Sequence, residues 1–74
     1  MGEYVSHDPS QFVGKLVKIG FRFNGRQNEY MWINVTGNGI GTLINAPVFV
    51  DYVHAGDEVH FESVEIVDVE EGND

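Results

Sequence analysis

No cysteine occurs in the chain, so no disulfide can brace it and no thiolate can hold a metal. Cations are nearly as scarce. Lys15, Lys18, Arg22 and Arg26 are the four, and none follows Arg26. With no lysine beyond residue 18, the later chain cannot form a phosphate-binding loop of the Walker kind. No apolar run approaches the roughly 20 residues that a membrane-spanning helix needs. Residues 1–10 lack the basic and apolar regions of a secretion signal, so the expected compartment is the cytoplasm and no membrane is expected as a partner.

Acid is present in excess. Twelve Asp and Glu stand against four Lys and Arg, a formal net charge of −8 over 74 residues. The distribution is uneven. The first fifty residues hold three acids and four bases, whereas nine acids and no base follow from Asp51 onward. So negative a protein is repelled by phosphate backbones, which argues against nucleic acid as a partner. The acidic end serves either as a solvated face that keeps a small domain soluble or as a surface for a basic partner or a mimic of nucleic acid.

A chain of this length forms one domain, residues 1–74, with residues 1–10 and 70–74 expected as flexible ends. Its apolar pattern is that of strands. Val17, Ile19, Phe21 and Phe23 alternate with Lys18, Gly20 and Arg22, and Met31, Ile33 and Val35 alternate with Tyr30, Trp32 and Asn34. Asn24-Gly25 marks a turn between the two runs. Residues 40–45 predict a third strand and residues 48–52 a short fourth, started by Pro47. Gly56-Asp57 turns the chain into a strand with Val59 and Phe61 inward and Glu58, His60 and Glu62 outward. The apolar phase then shifts, which predicts a bulge or one helical turn at Ser63 before a last strand through Val67 and Val69. Asp8 and Pro9 suit the start of a single helical turn. The fold class is mainly β: a small, partly closed antiparallel barrel of five to six strands, SH3-like or OB-like.

Gly37, Gly39 and Gly41 pose the sharpest chemical question. A dinucleotide loop needs a third glycine where Thr42 stands, and a helix after it. Pro47 stops the strand-like run that follows instead. A hairpin turn at Gly37-Asn38-Gly39 is the better reading, with positive φ supplied there, and Gly41 marks a bulge or close backbone approach. His7, His54 and His60 have no recognised metal-ligand spacing, and no catalytic constellation stands out. No catalytic residue, cofactor or metal is expected. The aromatics offer more. Tyr30 and Trp32, with Lys18 and Arg22 on the same outer face, suit a binding platform. The bland alternative has this face covered by the N-terminal segment or the acidic tail, with Arg22 stacked on Trp32 within the chain. Lys18 or Arg22 facing Glu58, Glu62 or Glu65 across the barrel closure would explain the charge asymmetry internally.

Met31-Trp32, then Gly41-Thr42-Leu43-Ile44-Asn45-Ala46-Pro47, then Gly56-Asp57-Glu58-Val59 follow one another in a recognisable order. Over residues 29–68 the chain resembles the bacterial family catalogued as domain of unknown function 2314. It departs from the family's closing Ile-x-Asp-Trp, with Val69 after Ile66-Val67-Asp68. The resemblance implies a small β-rich domain and no established activity.

The reading that follows is a non-enzymatic, cytoplasmic binding module whose partner is a protein, engaged through Tyr30, Trp32, Arg22 and Lys18 or through Glu58, His60 and Glu62. The alternative is an acidic inhibitor or immunity-type protein, of the kind phages encode, that blocks a basic nucleic-acid-binding or toxin surface.

Overall fold

The computed structural model describes residues 9–71. Among them are five strands: β1 (Leu16–Asn24), β2 (Gln27–Gly37), β3 (Ile40–Leu43), β4 (Glu58–His60) and β5 (Ile66–Glu70). They form a single antiparallel sheet in the order β4-β3-β2-β1-β5. Four strands follow one another as a meander, and the fifth returns to β1 through one 3-10 turn at Ser63–Glu65. This is the small, partly closed antiparallel barrel expected from the alternation.

The curl has a simple cause. Five strands laid flat would put β4 and β5 roughly 19 Å apart. The link through residues 61–65 spans less, because three of its residues sit in a 3-10 turn rising only ~2 Å per residue. Bulges at Lys18/Ile19, Arg22/Asn24 and Val35/Gly37 add bend and twist. The seam stays open, with β4 and β5 as the two edges.

One face of every strand is buried. Val17, Ile19 and Phe21 from β1 meet Met31, Ile33 and Val35 from β2, with Leu43, Val59, Phe61 and Ile66 closing the core. Val17, Ile33 and Leu43 are wholly inaccessible to water. Phe12, from the 3-10 turn Pro9–Phe12, and Val50, from the β3–β4 connection, complete the core. Asp8, expected to cap that turn, lies outside the described residues, as do residues 1–7 and 72–74 of the ends expected to be flexible.

The turns follow their glycines. Gly25 and Gly39 hold φ of 62° and 74° in the β1–β2 and β2–β3 turns, and Gly39 alone supplies the positive φ expected of the Gly37-Asn38-Gly39 stretch. Gly41 is the close approach. A Cβ there would lie 2.5 Å from the Asn34 carbonyl oxygen and 2.6 Å from Ile33 Cγ2. The cradle is thus filled by the neighbouring strand and leaves no room for a phosphate.

The expected strand at residues 48–52 does not form. These residues belong to the long β3–β4 connection, residues 44–57. They have the apolar run and the leading proline of a short strand but no strand beside them. Their backbone donors are taken by a side chain instead, as described below.

Candidate functional site

The register between β1 and β2 assembles the predicted aromatic face. Lys18 lies opposite Trp32, Gly20 opposite Tyr30, and Arg22 opposite Asn28. All alternate with core positions, so Lys18, Arg22, Tyr30 and Trp32 share the outer surface. Trp32 is half-buried and Tyr30 exposed. Lys18, not Arg22, covers the indole, with Nζ 5.2 Å from the ring centroid. The reason is register: Lys18 sits directly across from Trp32, whereas Arg22 is further along and donates from Nη1 to the Gly25 carbonyl at 3.1 Å. Tyr30 lies against Gly20, where an added Cβ would be 2.8 Å from its Cε1. Ile44 continues the line of β3, its N–H donating to the Trp32 carbonyl at 3.1 Å. Exposed Val67 and the side chains of Arg22, Asn28, Tyr30 and Glu65 line a shallow groove on this face.

A second surface surrounds Glu29. This acid occupies a position on β2 in phase with Met31, Ile33 and Val35, so it points towards the core side at the end of the sheet. Its carboxylate accepts the backbone N–H of Val48 at 2.7 Å, of Phe49 at 2.9 Å and of Val50 at 2.9 Å. These bonds hold its pKa below the ordinary glutamate value. The Val48 N–H contributes most, Val50 and Phe49 add to it, and partial desolvation opposes them. The base of the connection is closed by Leu43, whose N–H donates to Asp57 and whose carbonyl accepts from Gly56. The Asn45 side-chain oxygen accepts the backbone N–H of Trp32. Val50 then enters the core, Phe49 stacks on Phe23 at 5.0 Å, and the Tyr52 hydroxyl donates to the Arg22 carbonyl at 2.8 Å. The result is a compact, tied loop. Three of its outward residues are apolar or aromatic, Val48 at 76% exposed, Phe49 at 66% and Tyr52 at 57%, with exposed Asp51 among them.

The acidic group lies apart, on edge strand β4. Glu58 and His60 point outward, with His60 Nε2 3.4 Å from Glu58 Oε2. The Glu62 N–H donates to Glu65 Oε1 at 2.9 Å across the 3-10 turn. A groove beside them is lined by Asn38, Gly39, His60, Phe61, Glu62 and Glu65. β3 separates β4 from the Tyr30/Trp32 strand, so the two predicted groups form two surfaces, and Glu65 borders both.

Of the expected partners of Lys18 and Arg22, Glu65 lines a groove with Arg22, but among the described residues no ion pair joins Lys18 or Arg22 to Glu58, Glu62 or Glu65. Lys15 pairs with Glu71 at 3.0 Å, and Lys18 lies in register with Asp68. β5, not β4, is the neighbour of β1, which sets Asp68 across from Lys18 and brings Glu71, just past β5, to Lys15. His54 closes the turn at Gly56: its N–H donates to Asp57 Oδ2 at 2.8 Å. Among the described residues no three His, Asp or Glu side chains converge as a metal site would require. No helix among them is long and apolar enough to cross a membrane.

The sequence pattern missed Val48, Phe49 and Tyr52 as a surface, because their apolar run after Pro47 mimics a short strand. One signal was available: an acid, Glu29, at an inward position of an otherwise apolar strand face must find donors.

No protein-family model, curated protein or solved structure matches this chain. The residues of the quoted motifs have internal structural roles. Gly41 permits strand contact, Asn45 bonds Trp32, and Gly56-Asp57 forms the turn into β4.

Proposed function

We propose that this chain is a non-enzymatic module that binds a protein partner. The observation that carries the reading is the tied loop: Val48, Phe49 and Tyr52 stand more than half exposed on a segment held by three bonds to Glu29, a ring stack and a tyrosine hydroxyl. Apolar side chains fixed in water on a rigid loop lose little freedom on docking, which favours association. Tyr30, Trp32, Ile44 and Val67 supply further apolar area on the outer sheet face, with Lys18 and Arg22 among them. Glu29, whose pKa is clearly shifted, already has its carboxylate committed to the loop backbone.

The test is affinity capture from the source cells with the parent chain, a Val48→Ser/Tyr52→Ser variant and a Tyr30→Ala/Trp32→Ala variant, quantified by mass spectrometry. A protein retained by the parent and lost by at least one variant supports the reading. An identical retained set from all three chains overturns it.

The acidic-inhibitor reading draws on a different observation: β2, β3, β4 and β5 contain no Lys or Arg, while Glu58, Glu62, Glu65, Asp68 and Glu70 lie exposed. An inhibitor of a basic surface would lose affinity steeply as salt rises, whereas docking through the loop would change little.

A further inference from the structure

Edge strand β4 has backbone groups that the sheet does not use. The Phe61 N–H donates to Gly39 and the Leu43 N–H to Asp57, each at 2.9 Å, and Val59 lies opposite Gly41 between them. Hydrogen-bonding groups alternate sides along an antiparallel strand. Those of Val59 therefore turn to β3, and the N–H and C=O of Glu58 and His60 turn away from the sheet. Among the described residues no hydrogen bond reaches them. The chain stays extended into Glu62, with φ −113° and ψ 151°. Glu58, His60 and Glu62 thus point outward at alternate positions along an open edge.

Resting on the protein-binding reading, we propose that β4 accepts an extended segment of the partner as an added antiparallel strand, and that this segment carries Lys or Arg at alternate positions. The backbone groups of Glu58 and His60 supply the ladder. Charge selects the occupant. A residue directly opposite on an added strand projects from the same face, close enough for its charge to count. The facing positions here are Glu58 and Glu62, and no Lys or Arg on β2, β3 or β4 competes for them. A second copy of this chain is disfavoured, because antiparallel pairing of two β4 edges would bring glutamates together. The groove lined by Asn38, Gly39, His60, Phe61, Glu62 and Glu65 gives the segment a path past the end of β4.

The geometry makes a sharp demand on the ligand. On an antiparallel partner, residues opposite Glu58 and His60 direct both their side chains to the acidic face and their own N–H groups to β4. The probe is a synthetic nonapeptide alternating Lys and Thr, titrated into the full chain and followed by amide NMR. The inference expects shifts and slowed exchange at the Glu58 and His60 amides. N-methylation of the Lys residues should weaken binding by roughly tenfold or more, because the inter-strand bonds are lost. N-methylation of the Thr residues should leave it nearly unchanged. The Glu58→Lys/Glu62→Lys chain, which alters only exposed positions, should also bind at least several-fold more weakly. No binding overturns the proposal. So does equal binding of both methylated peptides, or of a peptide with its lysines in one block, since bulk charge alone would then suffice. A native partner captured through Val48 but indifferent to Glu58→Lys/Glu62→Lys overturns this edge site and leaves the protein-binding reading in place.

Discussion

Glu29 and Val48 are 19 residues apart in sequence and joined by a 2.7 Å hydrogen bond from the Val48 N–H to the Glu29 carboxylate. The same carboxylate accepts from Phe49 and Val50, so one side chain replaces a neighbouring strand for three consecutive donors. Glu29→Ala leaves those donors to water and frees the loop. Amide exchange at residues 48–50 should accelerate by roughly tenfold or more, while that of Ile33 and Val17 stays slow. Unchanged exchange at residues 48–50 would mean that Val50 burial alone holds the loop.

The same contact sets an acid response. The folded pKa of Glu29 lies below its unfolded value. Its contribution to stability is therefore complete above the ordinary glutamate range and is lost as pH falls through the folded pKa. Loop exchange should rise in that acid window in the parent chain. Glu29→Gln, which cannot titrate, should show no such component there, and a persistent acid step in that variant would assign it to another carboxylate.

Two glycines separate backbone clashes from side-chain clashes. Gly41→Ala drives a Cβ against the Asn34 carbonyl, Ile33 Cγ2 and the Val35 Cα, so the strand itself must move. A cost of about 1–3 kcal/mol is expected, lowering Tm by roughly 4–8 °C per kcal/mol. At Gly20 the obstacle is the ring of exposed Tyr30, which can swing away. Gly20→Ala should cost clearly less. Equal losses in thermal unfolding would show that Tyr30 is fixed in place.

Asn45 tests how the loop leaves the sheet. Its side-chain oxygen accepts the part-buried backbone N–H of Trp32. Asn45→Ala removes that acceptor and should cost about 1–3 kcal/mol in urea unfolding. Asn45→Asp keeps an oxygen in place and should recover most of the loss.

These contacts also show what a one-dimensional pattern carries. The period-two alternation of residues 17–23 and 31–35 was legible because one face of each strand is buried and the other wet. The 3-10 turn at Ser63–Glu65 was legible as a break in that phase. Residues 48–52 were misleading, since Val48-Phe49-Val50 is an apolar run like that of a short strand, yet its N–H groups bond to a side chain far back in the sequence. Lys18 over Trp32, in place of Arg22, depends on a register that only pairing reveals. The outer face and the acidic edge were visible as residue types, but their separation by β3 follows from strand order.

Site-specific photocrosslinking tests the protein-binding claim most directly. A benzoylphenylalanine placed at Val48, at Tyr30 or, as a control, at Arg26 would be irradiated in the source cells. The account predicts that one and the same protein is captured covalently from position 48 or position 30 and is absent from position 26. No adduct at positions 48 and 30, or the same adducts from all three positions, would contradict it.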